Sequence, residues 1–129
     1  MNQEQMAAKT ILIVEDDTDI GSMLLQVVTY ETAYHAILAI DSLEALNIIK
    51  ETQPVLFILD YWLPYMNGIE LYDHLRTHTG LERTPAIMMS AGLPHNELAK
   101  RDIVGIKKPF DLDNFLQTIE TLLTSSSLH

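Results

Sequence analysis

Apolar runs alternate with amphipathic segments along most of the chain. Ile11–Val14 is a short, continuous apolar run rich in β-branched residues, the pattern of a strand covered on both faces. Ile20, Met23, Leu24, Val27 and Val28 fall at offsets 0, 3, 4, 7 and 8, one face of an amphipathic helix. Asp17, Thr18 and Asp19 stand where caps and a favourable dipole charge belong. Ala36–Ala39 reads as a weaker strand. Asp41-Ser42-Leu43-Glu44 opens a second helix, with a cap residue and an acid three positions later, and Pro54 is expected to stop it. Val55–Leu59 is the most apolar strand, and Asn67-Gly68-Ile69-Glu70 starts a third helix that turns Ile69, Tyr72 and Leu75 inward. Pro85 introduces a fourth strand at Ala86–Met89, and Ile103–Ile106 reads as a fifth. The last helix carries Leu112, Phe115, Leu116, Ile119 and Leu123 at offsets 0, 3, 4, 7 and 11. Only Leu93–Arg101 is weakly patterned, with room for two turns of helix. Strands alternating with helices predict an α/β domain, a parallel sheet with helices on both faces. Right-handed crossovers and ligand sites at the carboxyl ends of the strands follow from that architecture.

Composition narrows the choice of function. A length of 129 residues leaves room for one domain, and 47% hydrophobic residues are enough to give it a core. Eight Lys and Arg against eighteen Asp and Glu give a net charge of −10. A phosphate backbone is gripped through Lys and Arg, so no nucleic acid is expected to bind directly. The chain has no cysteine, which excludes a disulfide framework, a thiolate metal site and a cysteine nucleophile. Its longest apolar runs fall far short of a membrane span, and the first residues have no basic segment of a secretory signal. The expected location is the cytoplasm, with no membrane partner.

The polar residues that break the pattern gather at the carboxyl ends of the expected strands. Glu15, Asp16 and Asp17 follow the first, Asp60 ends the third, Ser90 ends the fourth, and Lys107-Lys108-Pro109 ends the fifth. An α/β sheet brings these ends into one site holding several carboxylates, a hydroxyl and an ammonium group. Packed carboxylates repel one another unless a cation intervenes, and an all-oxygen cluster suits a hard ion such as Mg²⁺. Asp60 is the natural nucleophile, since a carboxylate can accept a phosphoryl group as an acyl phosphate. Metal and lysine would neutralise the phosphoryl oxygens.

At these residues the chain resembles the response-regulator receiver domains of two-component signalling. Ile11-Leu12-Ile13-Val14-Glu15-Asp16-Asp17 is similar to the family's first strand and acidic pair, and Leu59-Asp60 with Leu63-Pro64 and Met66-Asn67-Gly68 to its phosphoacceptor segment. Met89-Ser90-Ala91 resembles the hydroxyl-bearing segment, and Lys108-Pro109-Phe110 the lysine motif, whose peptide bond before proline is usually cis in the family. The resemblance implies a flavodoxin-like, doubly wound sheet of five parallel strands in the order 2-1-3-4-5, here with a short or irregular fourth helix. It implies a receiver over residues 9–124, with a flexible segment at 1–8 and a tail at 125–129. It further implies that Glu15 and Asp16 hold Mg²⁺ with Asp60 and the backbone carbonyl of Trp62, that Asp60 accepts the phosphoryl group, that Ser90 binds it and that Lys108 pairs with it. The implied partners are a sensor histidine kinase or histidine phosphotransfer protein and a downstream protein target. Two departures stand out: the stretch from Ser90 to Lys108 is short, and Gly105 occupies the position of an aromatic residue that takes part in the family's switch.

Plainer readings stand beside these. Asp17 and Asp19 read equally well as helix caps. Lys107 reads as a solvated side chain, and His74 with His78 as a solvated helix face rather than a metal pair. Met23, Met66, Met88 and Met89 read as packing. Trp62 is expected either to cover a sheet edge or to limit water access to the site. Two rival functions are a pseudo-receiver that binds partners constitutively and a haloacid-dehalogenase-type phosphatase; Trp62 occupies the place of the second acid that the latter needs. Few residues follow the last helix, so no output domain is expected unless the chain is part of a longer regulator. With Gly105 unable to rotate an aromatic ring, output is expected through rearrangement of Ala91–Asp102.

Overall fold

Each apolar run of the sequence becomes a strand of one sheet. The computed structural model describes residues 9–127; the expected flexible segment at 1–8 and the last two positions of the expected tail lie outside the described residues. In chain order the elements are β1 (Thr10–Val14), α1 (Thr18–Glu31), β2 (His35–Ala39), α2 (Ser42–Ile48), β3 (Leu56–Asp60), α3 (Gly68–Leu75), β4 (Ala86–Ser90), α4 (His95–Arg101), β5 (Val104–Lys107) and α5 (Leu112–Ser127). The five strands are parallel in the order β2-β1-β3-β4-β5, as expected.

Side chains alternate across the sheet with the period of two that a strand imposes. Leu12, Val14, Phe57, Leu59 and Met88 pack on one face with Ala45 of α2, Leu71 and Leu75 of α3, and Leu98 of α4. Ile11, Ile13, Leu56, Ile58 and Met89 pack on the other with Leu24 and Val28 of α1 and Phe115, Ile119 and Leu123 of α5. Fully burying such a side chain contributes about 1.5–3 kcal/mol, so these two layers hold the strand ends in place.

The helices start where local chemistry dictates. Asp17 caps α1 by accepting from the N–H groups of Asp19 and Ile20 at 3.0 and 3.1 Å. Asp41 accepts from Glu44 N–H at 2.8 Å to cap α2. Asn67 and Glu70 form a reciprocal capping box at 2.9 Å in both directions.

Several boundaries differ from the expectation. α2 ends at Ile48, well before Pro54, because the last turn tightens, with Lys50 N–H bonding Asn47 O and Glu51 N–H bonding Ile48 O. β3, β4 and β5 each run one residue further, to Asp60, Ser90 and Lys107. Backbone pairing does not require an apolar side chain, so the ladder continues through the polar residue at which an apolar pattern stops. The helical backbone of α5 continues to Ser127, into the expected tail; serine is a tolerable helix residue and no glycine or proline ends the run. Leu112, expected in the inward stripe of α5, is 43% exposed, because it opens the helix beyond the edge of the core.

Candidate functional site

The sheet register assembles the site. β1 and β3 pair with Val14 beside Leu59, so the next residues, Glu15 and Asp60, emerge side by side. β3 and β4 pair with Asp60 beside Met89, and β4 and β5 with Ser90 beside Lys107, which sets Lys108 one residue beyond. Lys108 Nζ donates to Glu15 Oε1 at 3.1 Å and to Asp60 Oδ1 at 3.3 Å. Residues 93 and 48 positions apart in sequence thus meet at one ammonium group. The peptide bond from Lys108 to Pro109 is cis.

Glu15 and Asp60 are buried, whereas Asp16 is exposed. One carboxylate oxygen from each of the three lies within 4.8 Å of the others, and this is the only such cluster of potential metal ligands among the described residues. Burial is the main influence on both inner acids. It raises the Glu15 carboxyl to about 7, with the Asp60 charge adding to the rise and the Asp17 N–H and Lys108 opposing it. Burial also raises Asp60 above the ordinary carboxylate range, against the pull of Lys108. Burial pulls Lys108 the other way, but its hydrogen bond to Glu15 and the charge of Asp60 outweigh that, and its net shift is upward. One ammonium group, bonded to two of the three carboxylates, does not balance the cluster. An all-oxygen set with excess negative charge and one solvent-facing arm fits a hard divalent cation.

Ser90 is buried at the adjoining strand end, but its hydroxyl is turned into its own loop. Ser90 Oγ donates to Gly92 O at 3.1 Å and accepts from Gly92 N–H at 3.2 Å. Asp17 acts as the cap of α1, and Lys107 is solvated. His74 and His78 are exposed and belong to no metal-ligand cluster among the described residues. Met88 and Met89 are core residues, and Met23 and Met66 pack at its margin. Trp62 covers no sheet edge: β3 is a central strand, and the indole is 68% exposed with its ring 4.8 Å from that of Tyr61, edge to face.

Two glycines acquire roles that no sequence pattern announces. Gly68 opens α3 directly beneath the site, where a Cβ would stand 2.7 Å from Asp60 O and 2.5 Å from Met88 Sδ; only glycine lets the helix start that close to the strand end. At Gly105 a Cβ would stand 2.8 Å from Leu98 Cδ1 and 3.0 Å from Leu93 Cδ1. Leucines from α4 and the segment before it therefore occupy the space over β5 that a side chain at 105 would claim. Arg101 of α4 forks onto Asp73 of α3, Nε to Oδ1 at 2.7 Å and Nη2 to Oδ2 at 2.8 Å. Opposite charges on two separate helices carry no signal of that pairing in the sequence.

Comparison with known proteins bears on the family and the fold. A family model described as the response regulator receiver domain matches residues 11–120. The polar-differentiation response regulator DivK of Brucella anthropi is 28% identical over 119 residues, covering 89% of this chain and 96% of DivK. The DNA-binding response regulator MtrA of Mycolicibacterium paratuberculosis is 37% identical over 81 residues, 63% of this chain but only 34% of MtrA. A CheY-like receiver domain protein from Methanospirillum hungatei superimposes with a TM-score of 0.84 at 26% identity, covering 94% of this chain and 98% of its own. The chemotaxis response regulator CheY4 of Vibrio cholerae gives 0.82 at 25% identity, covering 91% of this chain and all of its own, 100%.

Proposed function

The chain belongs to the response regulator receiver family, and from that premise we propose that it is a cytoplasmic phosphoacceptor, taking a phosphoryl group on Asp60 from a phosphohistidine of a partner kinase or phosphotransfer protein. The observation that carries this reading is the buried Asp60 carboxylate, held by Lys108 Nζ at 3.3 Å and grouped with Glu15 and Asp16. A carboxylate oxygen of Asp60 forms a bond to phosphorus as the donor's P–N bond breaks. The electron pair leaves on the imidazole nitrogen, which takes a proton from solvent. Mg²⁺, held by Glu15, Asp16, Asp60 and the backbone carbonyl of Trp62, would offset negative charge on the phosphoryl oxygens. Lys108 supplies the second positive charge and keeps the nucleophile oriented. Ser90 would exchange its bonds to Gly92 for one to a phosphoryl oxygen, which couples occupancy of Asp60 to the loop leading into α4. The phosphorylated chain would then bind a downstream protein differently.

Intact-mass measurement after incubation with Mg²⁺ and a small acyl phosphate tests the chemistry. The wild type should gain one phosphoryl mass and Asp60→Asn none. Equal modification of the Asn variant, or no modification of the wild type with any donor, would leave constitutive partner binding as the better account.

A further inference from the structure

Large apolar side chains left in water collect at the end of the sheet that carries the site. Ile40 follows β2, Leu43 lies in the first turn of α2, and Trp62 and Tyr65 stand in the loop after β3; their exposures are 49%, 54%, 68% and 75%. Scattered singly, exposed apolar residues are ordinary, but a group on adjoining loops marks an interaction surface.

The mounts of these side chains are firm. Ser42 is fully buried, and its hydroxyl donates to Met66 O at 2.9 Å, joining the loop after β2 to the loop after β3. Leu43 is next to Ser42, and Tyr65 is next to Met66. Both loops run into capped helices, through Asp41 and through the Asn67–Glu70 box. Tyr65 is held at φ +76°, a left-handed conformation that costs a bulky L-residue about 1–2 kcal/mol. Three-quarters of Tyr65 stays in solvent in the isolated fold, and a partner covering it would bury that surface.

Charge and geometry identify the partner. Residues 40–44 and 61–70 contain Asp41, Glu44 and Glu70 and no Lys or Arg, and Asp16 adds an exposed acid at the neighbouring strand end. A second copy would set this acidic rim against itself on a chain of net charge −10, and a polyanion would be repelled likewise. β3 is a central strand and β2 an edge strand, but all four side chains stand beyond the strand ends, where an added strand would find no ladder to extend. We propose that the surface of Ile40, Leu43, Trp62 and Tyr65 docks an amphipathic helix of a partner protein whose apolar face is rimmed by Lys or Arg. Their side chains make none of the contacts that join Lys108 to Glu15 and Asp60, so docking stands whether or not Asp60 accepts phosphate.

Trp62 is the only tryptophan, and its emission reads the surface directly. The probe is a tryptophan-free amphipathic peptide of about 18 residues, long enough to hold a helix, with a leucine stripe rimmed by lysine. Titrated into the full chain in EDTA, it should shift Trp62 emission to the blue in a saturable manner. The same residues in scrambled order, or with Glu for Lys, should bind at least about tenfold more weakly, a difference of about 1.4 kcal/mol. Leu43→Ser with Tyr65→Ser should weaken binding as much while far-UV circular dichroism stays unchanged; if that pair folds poorly, Leu43→Ser alone must weaken it. Asp60→Asn should bind as the wild type does. Equal binding of the scrambled peptide, unaltered binding by the serine variants, loss of binding in Asp60→Asn, or a dimer that the serine substitutions dissolve would each overturn the proposal.

Discussion

At the scale of single side chains, the site is an unbalanced charge problem. Lys108 stays protonated between two buried acids, and Glu15 is raised to about 7, chiefly by burial. A carboxyl whose pKa is higher in the folded than in the unfolded state binds its proton more tightly when folded. The resulting stabilisation is complete below the ordinary value of 4.5 and is lost as pH rises through about 7. In EDTA, the thermal midpoint should therefore fall between about pH 5 and pH 8, and Glu15→Gln should flatten that slope. A wild-type midpoint that climbs over the same range would contradict this account of Glu15. The identities of Glu15, Asp16, Asp60 and Lys108 were legible in the sequence because each interrupts an apolar pattern at a strand end. The orientation of the Ser90 hydroxyl was not, because its choice of Gly92 is made by the turn after β4.

At the scale of elements, α4 is the loosely held one. Leu98 is its single buried residue, and Pro94 gives its start no side-chain cap. Its tie to the rest is the Arg101 fork, in which Asp73 is held below the ordinary carboxylate range by its hydrogen bond with Arg101. A half-buried pair that keeps one side open to water contributes about 1 kcal/mol. Asp73→Asn should thus lower the thermal midpoint by only a few degrees while raising hydrogen exchange in His95–Arg101. A phosphoryl mimic should act on the same region: release of Gly92 by Ser90 frees Leu93, which lies over Gly105 beside Leu98. Exchange should change most across Ala91–Asp102, and a change confined to Trp62–Gly68 would contradict this route of output. The weak pattern between Leu93 and Arg101 foretold a short helix. The anchor to Asp73, 28 residues away, was invisible because one acid and one base on different helices are unremarkable until the helices are placed.

At the scale of the whole molecule, local charge and global stability are linked. Converging Glu15, Asp16 and Asp60 destabilise the metal-free fold, so a cation that binds only the folded site stabilises it by mass action. At ten times its dissociation constant the gain is about 1.4 kcal/mol, a few degrees of thermal midpoint. The midpoint should rise with millimolar Mg²⁺, Asp16→Asn should blunt the rise, and Trp62 emission should change over the same titration. Indifference of both signals to Mg²⁺ would mean that no such site assembles.

The alternation of strands and helices, the two-faced burial and the polar residues at the strand ends were legible along the chain, because these follow from periodicities of two and 3.6 and from local caps. The resemblance supplied the strand order, which periodicity leaves open. Tertiary structure alone decided which charges touch and which space is filled. The register that sets Glu15 beside Asp60, the Arg101 fork onto Asp73 and the Ser42–Met66 bond under the exposed patch all join residues far apart in sequence. Contacts of that kind depend on how layers pack, and packing is a property of the assembled core rather than of any segment within it.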